Sequence, residues 1–162
     1  MDRMLVVMMI AILGGMAYFA FQPTPPAAPF SLQYTATDGA QIDLAKMRGK
    51  VVLVDFWATW CGPCRGEVPN VVAAYQKYHD QGFEVLGVSL DQDQAALDSF
   101  TGQNGMVWPQ YFDGKGWSND IAVANGVRSI PAMWLIGKDG VLITKNARED
   151  LDGDVGRALA AH

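Results

Sequence analysis

Cysteine and histidine are both scarce in this chain of 162 residues, with two of each. The cysteines are Cys61 and Cys64; the histidines are His79 and His162. A tetrahedral zinc site built on the cysteines needs two more ligands. His79 falls near the end of a predicted helix, where a cation suits the helix dipole, and His162 is the terminal residue. No metal site is therefore expected. Basic charge is also short: 12 Lys and Arg stand against 17 Asp and Glu, a net charge of −5. That balance excludes the basic face that binding nucleic acid requires. The acidic residues are spread out rather than gathered in a tail, and read as a solvated surface. The sequence contains no internal repeat and no cofactor-binding motif, so no cofactor is expected.

Charge is missing altogether from Met4 to Phe21, a run of 18 residues near the lower limit for spanning a bilayer. A Pro-rich spacer follows at residues 23–29, expected to be extended and semi-rigid. Cleavage of a signal peptide wants small residues at −3 and −1. A cut after Ala20 puts Tyr18 at −3, and a cut after Ala28 puts Pro26 there, so a retained anchor is favoured over a secreted, cleaved form. Arg3 precedes the run, and no Lys or Arg follows it until Lys46. The positive-inside bias then places the rest of the chain outside the cytoplasm. In a bacterium this means an inner-membrane anchor with the domain in the periplasm. The expected organisation is a membrane or signal segment at 1–22, a linker at 23–29 and one domain at 30–162.

Within that domain, hydrophobic patterning predicts a hairpin from 30–36 and 41–44 around Asp38-Gly39. A buried strand follows at 51–58, then a helix after the cysteines containing Pro69, which is expected to kink it. A second buried strand is predicted at 83–90 and a helix over 91–101. Residues 107–112 read as a short strand or loop, and 118–125 as a short helix. Strands at 132–136 and 141–145 join across Gly137–Gly140, and 150–161 is a last helix. This is an α/β fold, a mixed central sheet flanked by helices.

Trp60-Cys61-Gly62-Pro63-Cys64 lies between the first buried strand and the helix. Cys-x-x-Cys in that position is the layout of a dithiol redox site. A purely structural disulfide here would close a very short loop and stabilise little. Asp55 interrupts the apolar strand, which is costly unless the carboxyl has a task.

The segment Val51 to Pro69, VVLVDFWATWCGPCRGEVP, resembles the active-site segment of the thioredoxin superfamily. Gly126-Val127-Arg128-Ser129-Ile130-Pro131 resembles the loop that carries its cis-proline. With the apolar N-terminus, the N-terminal β-hairpin and a strand-helix insert after the first helix, the chain is similar to the membrane-anchored TlpA/ResA-like thiol:disulfide oxidoreductases. The resemblance implies a thioredoxin-like fold. It makes Cys61 the attacking thiol, with Cys64 as the resolving thiol and Cys61–Cys64 as a redox-active disulfide. It implies that Asp55 is a buried acid that helps to deprotonate Cys64, and that Glu67 is a second carboxylate near the cysteines. Two such carboxylates can raise one another's pKa. Trp60, Gly62, Pro63, Ile130 and Pro131 are expected to meet the substrate, while Trp57 belongs to the core. Disulfide-containing client proteins and a membrane electron donor of the DsbD/CcdA type are the implied partners.

Gly62-Pro63 also bears on direction. Superfamily oxidants and isomerases usually place a His between the cysteines, and Pro63 supplies no such charge, which favours reduction. One rival is a cytochrome c maturation thioredoxin, whose loop pattern is not matched by Ser129 and Ala132. Others are a copper-site assembly protein, for which the cysteine spacing is one residue short, and a peroxiredoxin-like peroxidase, against which the paired cysteines and Trp60 argue.

Overall fold

A computed structural model of the protein describes residues 27–161. The expected membrane segment, most of the spacer and His162 lie outside the described residues. No helix among the described residues is long and apolar enough to cross a membrane.

The expected hairpin forms from β1 (Gln33–Thr35) and β2 (Gln41–Asp43), shorter than the apolar pattern suggested. Asp38 caps its turn by accepting the Ala40 N–H at 2.9 Å. The main sheet is built on β3 (Val51–Trp57), which is buried throughout. β3 pairs in parallel with β4 (Phe83–Ser89), and β4 pairs in parallel with β5 (Gln110–Tyr111). On its other side β3 pairs antiparallel with β6 (Ala132–Ile136), which pairs antiparallel with β7 (Leu142–Thr144). The strand order is β5-β4-β3-β6-β7. A strand covered on both faces must be apolar on both, which is why β3 and β4 read as continuous hydrophobic runs. Leu53, Phe56, Phe83 and Leu86 are fully buried in this layer, each contributing roughly 1.5–3 kcal/mol.

Among the described residues four α-helices accompany the sheet: α1 (Gly62–Tyr78), α2 (Gln94–Gln103), α3 (Asp120–Ala124) and α4 (Leu151–Ala160). α1 continues through Pro69 as one element and packs against α4 and β4, while α4 reaches β3. The helix expected over 91–101 begins later, at Gln94. Asp93 caps it by accepting the Ala95 and Ala96 N–H groups, which frees Asp91 for a different task. Asp150 caps α4 through the Gly153 N–H. The architecture is the mixed α/β sheet with an N-terminal hairpin that the sequence implied.

The register decides what meets at one edge of the sheet. Trp57 pairs with Ser89, Phe56 pairs with Ala132, and Val88 pairs with Tyr111. The chain therefore leaves β3, β4 and β5 and enters β6 at the same edge. The segments 58–61, 90–93, 112–119 and 126–131 are all delivered there, at the carboxyl ends of the parallel strands where α/β folds place their sites.

Candidate active site

The chain turns immediately after β3. The Cys61 N–H donates to the Ala58 carbonyl at 3.1 Å, and Cys61 becomes the N-cap of α1. Its sulfur accepts the Cys64 N–H at 3.2 Å, so a helix-terminal donor points at Sγ. Pro63 occupies the first turn, where a missing N–H costs nothing. Cys61 and Cys64 are joined in a disulfide, with a Cα–Cα separation of 5.2 Å. Both are buried, while Gly62 and Pro63 between them are exposed. The N–H groups and dipole at a helix N-terminus stabilise a negatively charged sulfur.

Asp55 lies on β3 six residues before Cys61 and is 6% exposed. Its Oδ1 has no hydrogen-bond partner. Burial first, and the charge of Glu67 second, push its carboxyl up to about 7. Glu67 behaves in the opposite way. It accepts hydrogen bonds from Arg148 Nε at 2.8 Å and Asn70 Nδ2 at 3.0 Å. The Arg148 bond is the main reason its carboxyl is held below the usual range. The coupling expected between the two carboxylates is thus one-sided: Glu67 raises Asp55 while remaining ionised itself.

Pro131 follows a cis Ile130–Pro131 bond directly before β6. The Phe56–Ala132 pairing sets it at the same sheet edge as the cysteines. Ile130 and Pro131 are both partly buried. Trp57 is core: it is 1% exposed, and its Nε1 donates to Gln110 Oε1 at 3.0 Å. Trp60 points the other way, 53% exposed.

Two further features carried no signal in the sequence. Trp117, 50% exposed, stands against Trp60 with ring centroids 6.1 Å apart. Asp91, buried at the end of β4, accepts from the Thr59 N–H and from Thr59 Oγ1 at 2.6 Å, and also from Ser89 Oγ at 2.8 Å. It fixes the turn that carries Trp60 and Cys61 to the sheet. A buried acidic residue in an Asp-Gln-Asp run ahead of a helix looks like a cap, and only the register shows otherwise.

The comparisons with known proteins agree with this geometry. The Redoxin family profile matches residues 22–161. The chain belongs to the Redoxin family. Over 123 residues, covering 74% of this chain and 69% of the relative, it is 35% identical to the thiol-disulfide oxidoreductase ResA of Bacillus thuringiensis (strain Al Hakam). Among solved structures, the thioredoxin domain of a Bacteroides vulgatus thiol-disulfide oxidoreductase superposes with a TM-score of 0.71 at 26% identity, covering 84% of this chain and 98% of that one. A thiol:disulfide interchange protein from Bacteroides sp. superposes with a TM-score of 0.70 at 26% identity, covering 83% and 90%. This Redoxin protein is a TlpA/ResA-like member of the thioredoxin superfamily and a thiol:disulfide oxidoreductase, with Cys61 and Cys64 as its dithiol pair.

Proposed function

We propose that the chain reduces disulfides of client proteins, working outside the cytoplasm from an N-terminal membrane anchor. The observation that carries the chemistry is the Cys61–Cys64 disulfide at the N-terminus of α1, with a backbone N–H directed at the Cys61 sulfur. In the reduced chain the Cys61 thiolate attacks one sulfur of the client cystine. A Cys61–client disulfide forms and the client's other sulfur leaves as a thiolate. Cys64, deprotonated, then attacks Cys61 Sγ, which releases the second client thiolate and closes the Cys61–Cys64 bond. Two electrons pass to the client, and the disulfide described here is the product state.

Asp55 takes the proton from Cys64 in this scheme. Its elevated carboxyl suits a base working near neutral pH. Glu67 keeps that carboxyl raised. Ile130 and Pro131 receive the client backbone at the edge shared with the cysteines, and Gly62, Pro63 and Trp60 form the exposed rim. A dithiol of a membrane reductase of the DsbD/CcdA type returns the chain to its reduced state. Support for the location comes from the apolar run at Met4–Phe21 and the absence of Lys and Arg between Arg3 and Lys46.

The test is a trap. With Cys64→Ser, the full-length chain accumulates a covalent adduct with a disulfide-bonded client that dithiothreitol releases. With Cys61→Ser it accumulates none. Adducts on Cys64 in the Cys61→Ser chain, and none in the other, overturn the assignment.

A further inference from the structure

Two indoles in mutual contact, one of them next to Cys61 in the chain, are both held out of the core. Trp60 is the residue before Cys61, and Trp117 sits in the 3₁₀ turn Gly116–Ser118 beyond β5. Exposed paired tryptophans on an otherwise solvated surface are unusual without a partner to cover them. The loops that bear them are fixed by buried polar contacts. Asp91 holds the Thr59 end. Asn119, fully buried, donates from Nδ2 to the Ser89 carbonyl at 3.1 Å and to Asp113 Oδ1 at 3.2 Å, and accepts the Ala122 N–H. Asp113 in turn accepts the Lys115 and Asp120 N–H groups. Ser89 therefore joins the two arms: its hydroxyl bonds Asp91, and its carbonyl bonds Asn119. Gly116 has φ +57°, and a Cβ there would lie 3.3 Å from the Gln92 side chain, so the turn seats closely against the 90–93 segment. The nearby cation, Lys115, is engaged by Asp120 at 2.6 Å, so it does not compete for the indole faces.

From this we infer that Trp60 and Trp117, packed against each other, form a preorganised aromatic platform for an apolar or aromatic side chain next to the client's reactive cysteine. The inference rests on the reductase reading for its substrate. A client whose sulfur reaches Cys61 must lay its neighbouring residues over Trp60, because Trp60 is joined to Cys61 by one peptide bond. Trp117, in contact with Trp60, extends that apolar surface. Because the loops are fixed before binding, little ordering opposes the contact. Trp117 is a specificity-determining residue for the thiol–disulfide exchange, as it touches the client rather than the reacting sulfurs.

The test uses the full-length chain and two peptides that differ in one residue, Phe or Ser, immediately before an S-methylated cysteine. Binding to the oxidised chain is read without turnover. The Phe peptide is expected to bind roughly tenfold more tightly than the Ser peptide. Trp117→Ala brings that ratio close to one, and Trp117→Phe retains most of it. The disulfide-bonded versions of the same peptides show the same ratio in kcat/KM, carried by KM. Equal binding of the two peptides to the unaltered chain, or a ratio that survives Trp117→Ala, overturns the platform. Failure of the reduced chain to reduce any disulfide, hydroxyethyl disulfide included, sinks the reductase reading and leaves the binding ratio to decide the platform by itself.

Discussion

Asp55 lies opposite Gly87 in the parallel β3–β4 ladder, and its Oδ1 is buried there without a hydrogen-bond partner. A carboxyl in that position binds its proton more tightly in the folded chain than in the unfolded one. Stability from this group is fully present below about pH 3.8, falls as the pH rises and is gone above about pH 7, where the folded group ionises. The loss is on the order of 4 kcal/mol. Asp55→Asn is therefore expected to flatten the fall in stability between pH 4 and 7 and to leave the chain more stable than the parent at pH 8. Urea unfolding across that range checks both.

The same substitution slows the chemistry. If Asp55 takes the Cys64 proton, Asp55→Asn lowers the rate of resolution of the mixed disulfide by roughly 10²-fold near neutral pH. It also removes the rise in that rate through pH 7. Single-turnover measurements with a client disulfide over pH 6 to 9 read both effects.

Gly87 has no room for a side chain. An added Cβ would fall 1.9 Å from Gln110 Oε1, the atom that accepts the Trp57 N–H. Gly87→Ala must displace a buried amide and break that bond, at a cost of about 2–4 kcal/mol. Denaturant midpoints of the variant and of the parent chain test this.

Asp91→Ala leaves the Thr59 N–H, the Thr59 hydroxyl and the Ser89 hydroxyl without their acceptor. The expected loss is about 2–3 kcal/mol. Arg148→Ala removes a more exposed ion pair with Glu67 and is expected to cost only about 0.5 kcal/mol. Parallel urea titrations compare the two.

Glu67→Gln removes the charge that helps to hold Asp55 up, so the Asp55 carboxyl titrates at lower pH than in the parent. Carboxyl-carbon NMR of Asp55 in the oxidised chain follows the change, and an unmoved titration contradicts the coupling.

The extent to which all this was legible follows from the kind of signal each residue sends. β3 and β4 announced themselves because a doubly covered strand must be largely apolar, with Asp55 the one charged residue in β3. The cysteines sit in a motif whose spacing is fixed by a strand-to-helix turn and could be placed from the residues themselves, whereas Pro131 was placed by the resemblance of residues 126–131 to the thioredoxin superfamily's cis-proline loop. Glu67 was visible as a carboxylate one turn after Cys64, but its partner Arg148 is 81 residues away, and its low pKa depends on that contact. Asp91 read as a helix start because Asp93, two residues on, is the real cap. Trp117 lies in a turn with no periodicity, and only the return of the 112–119 segment to the edge of the sheet brings it to Trp60. Local patterns were readable, whereas meetings between distant loops were not.

The most direct test of the account is the reduction potential of the Cys61–Cys64 pair in the full-length chain, equilibrated with dithiothreitol or glutathione buffers. A reductase is predicted to lie at or below the roughly −270 mV of thioredoxin. A value close to the roughly −120 mV of a strong periplasmic oxidant contradicts the reductase reading and points to disulfide formation instead.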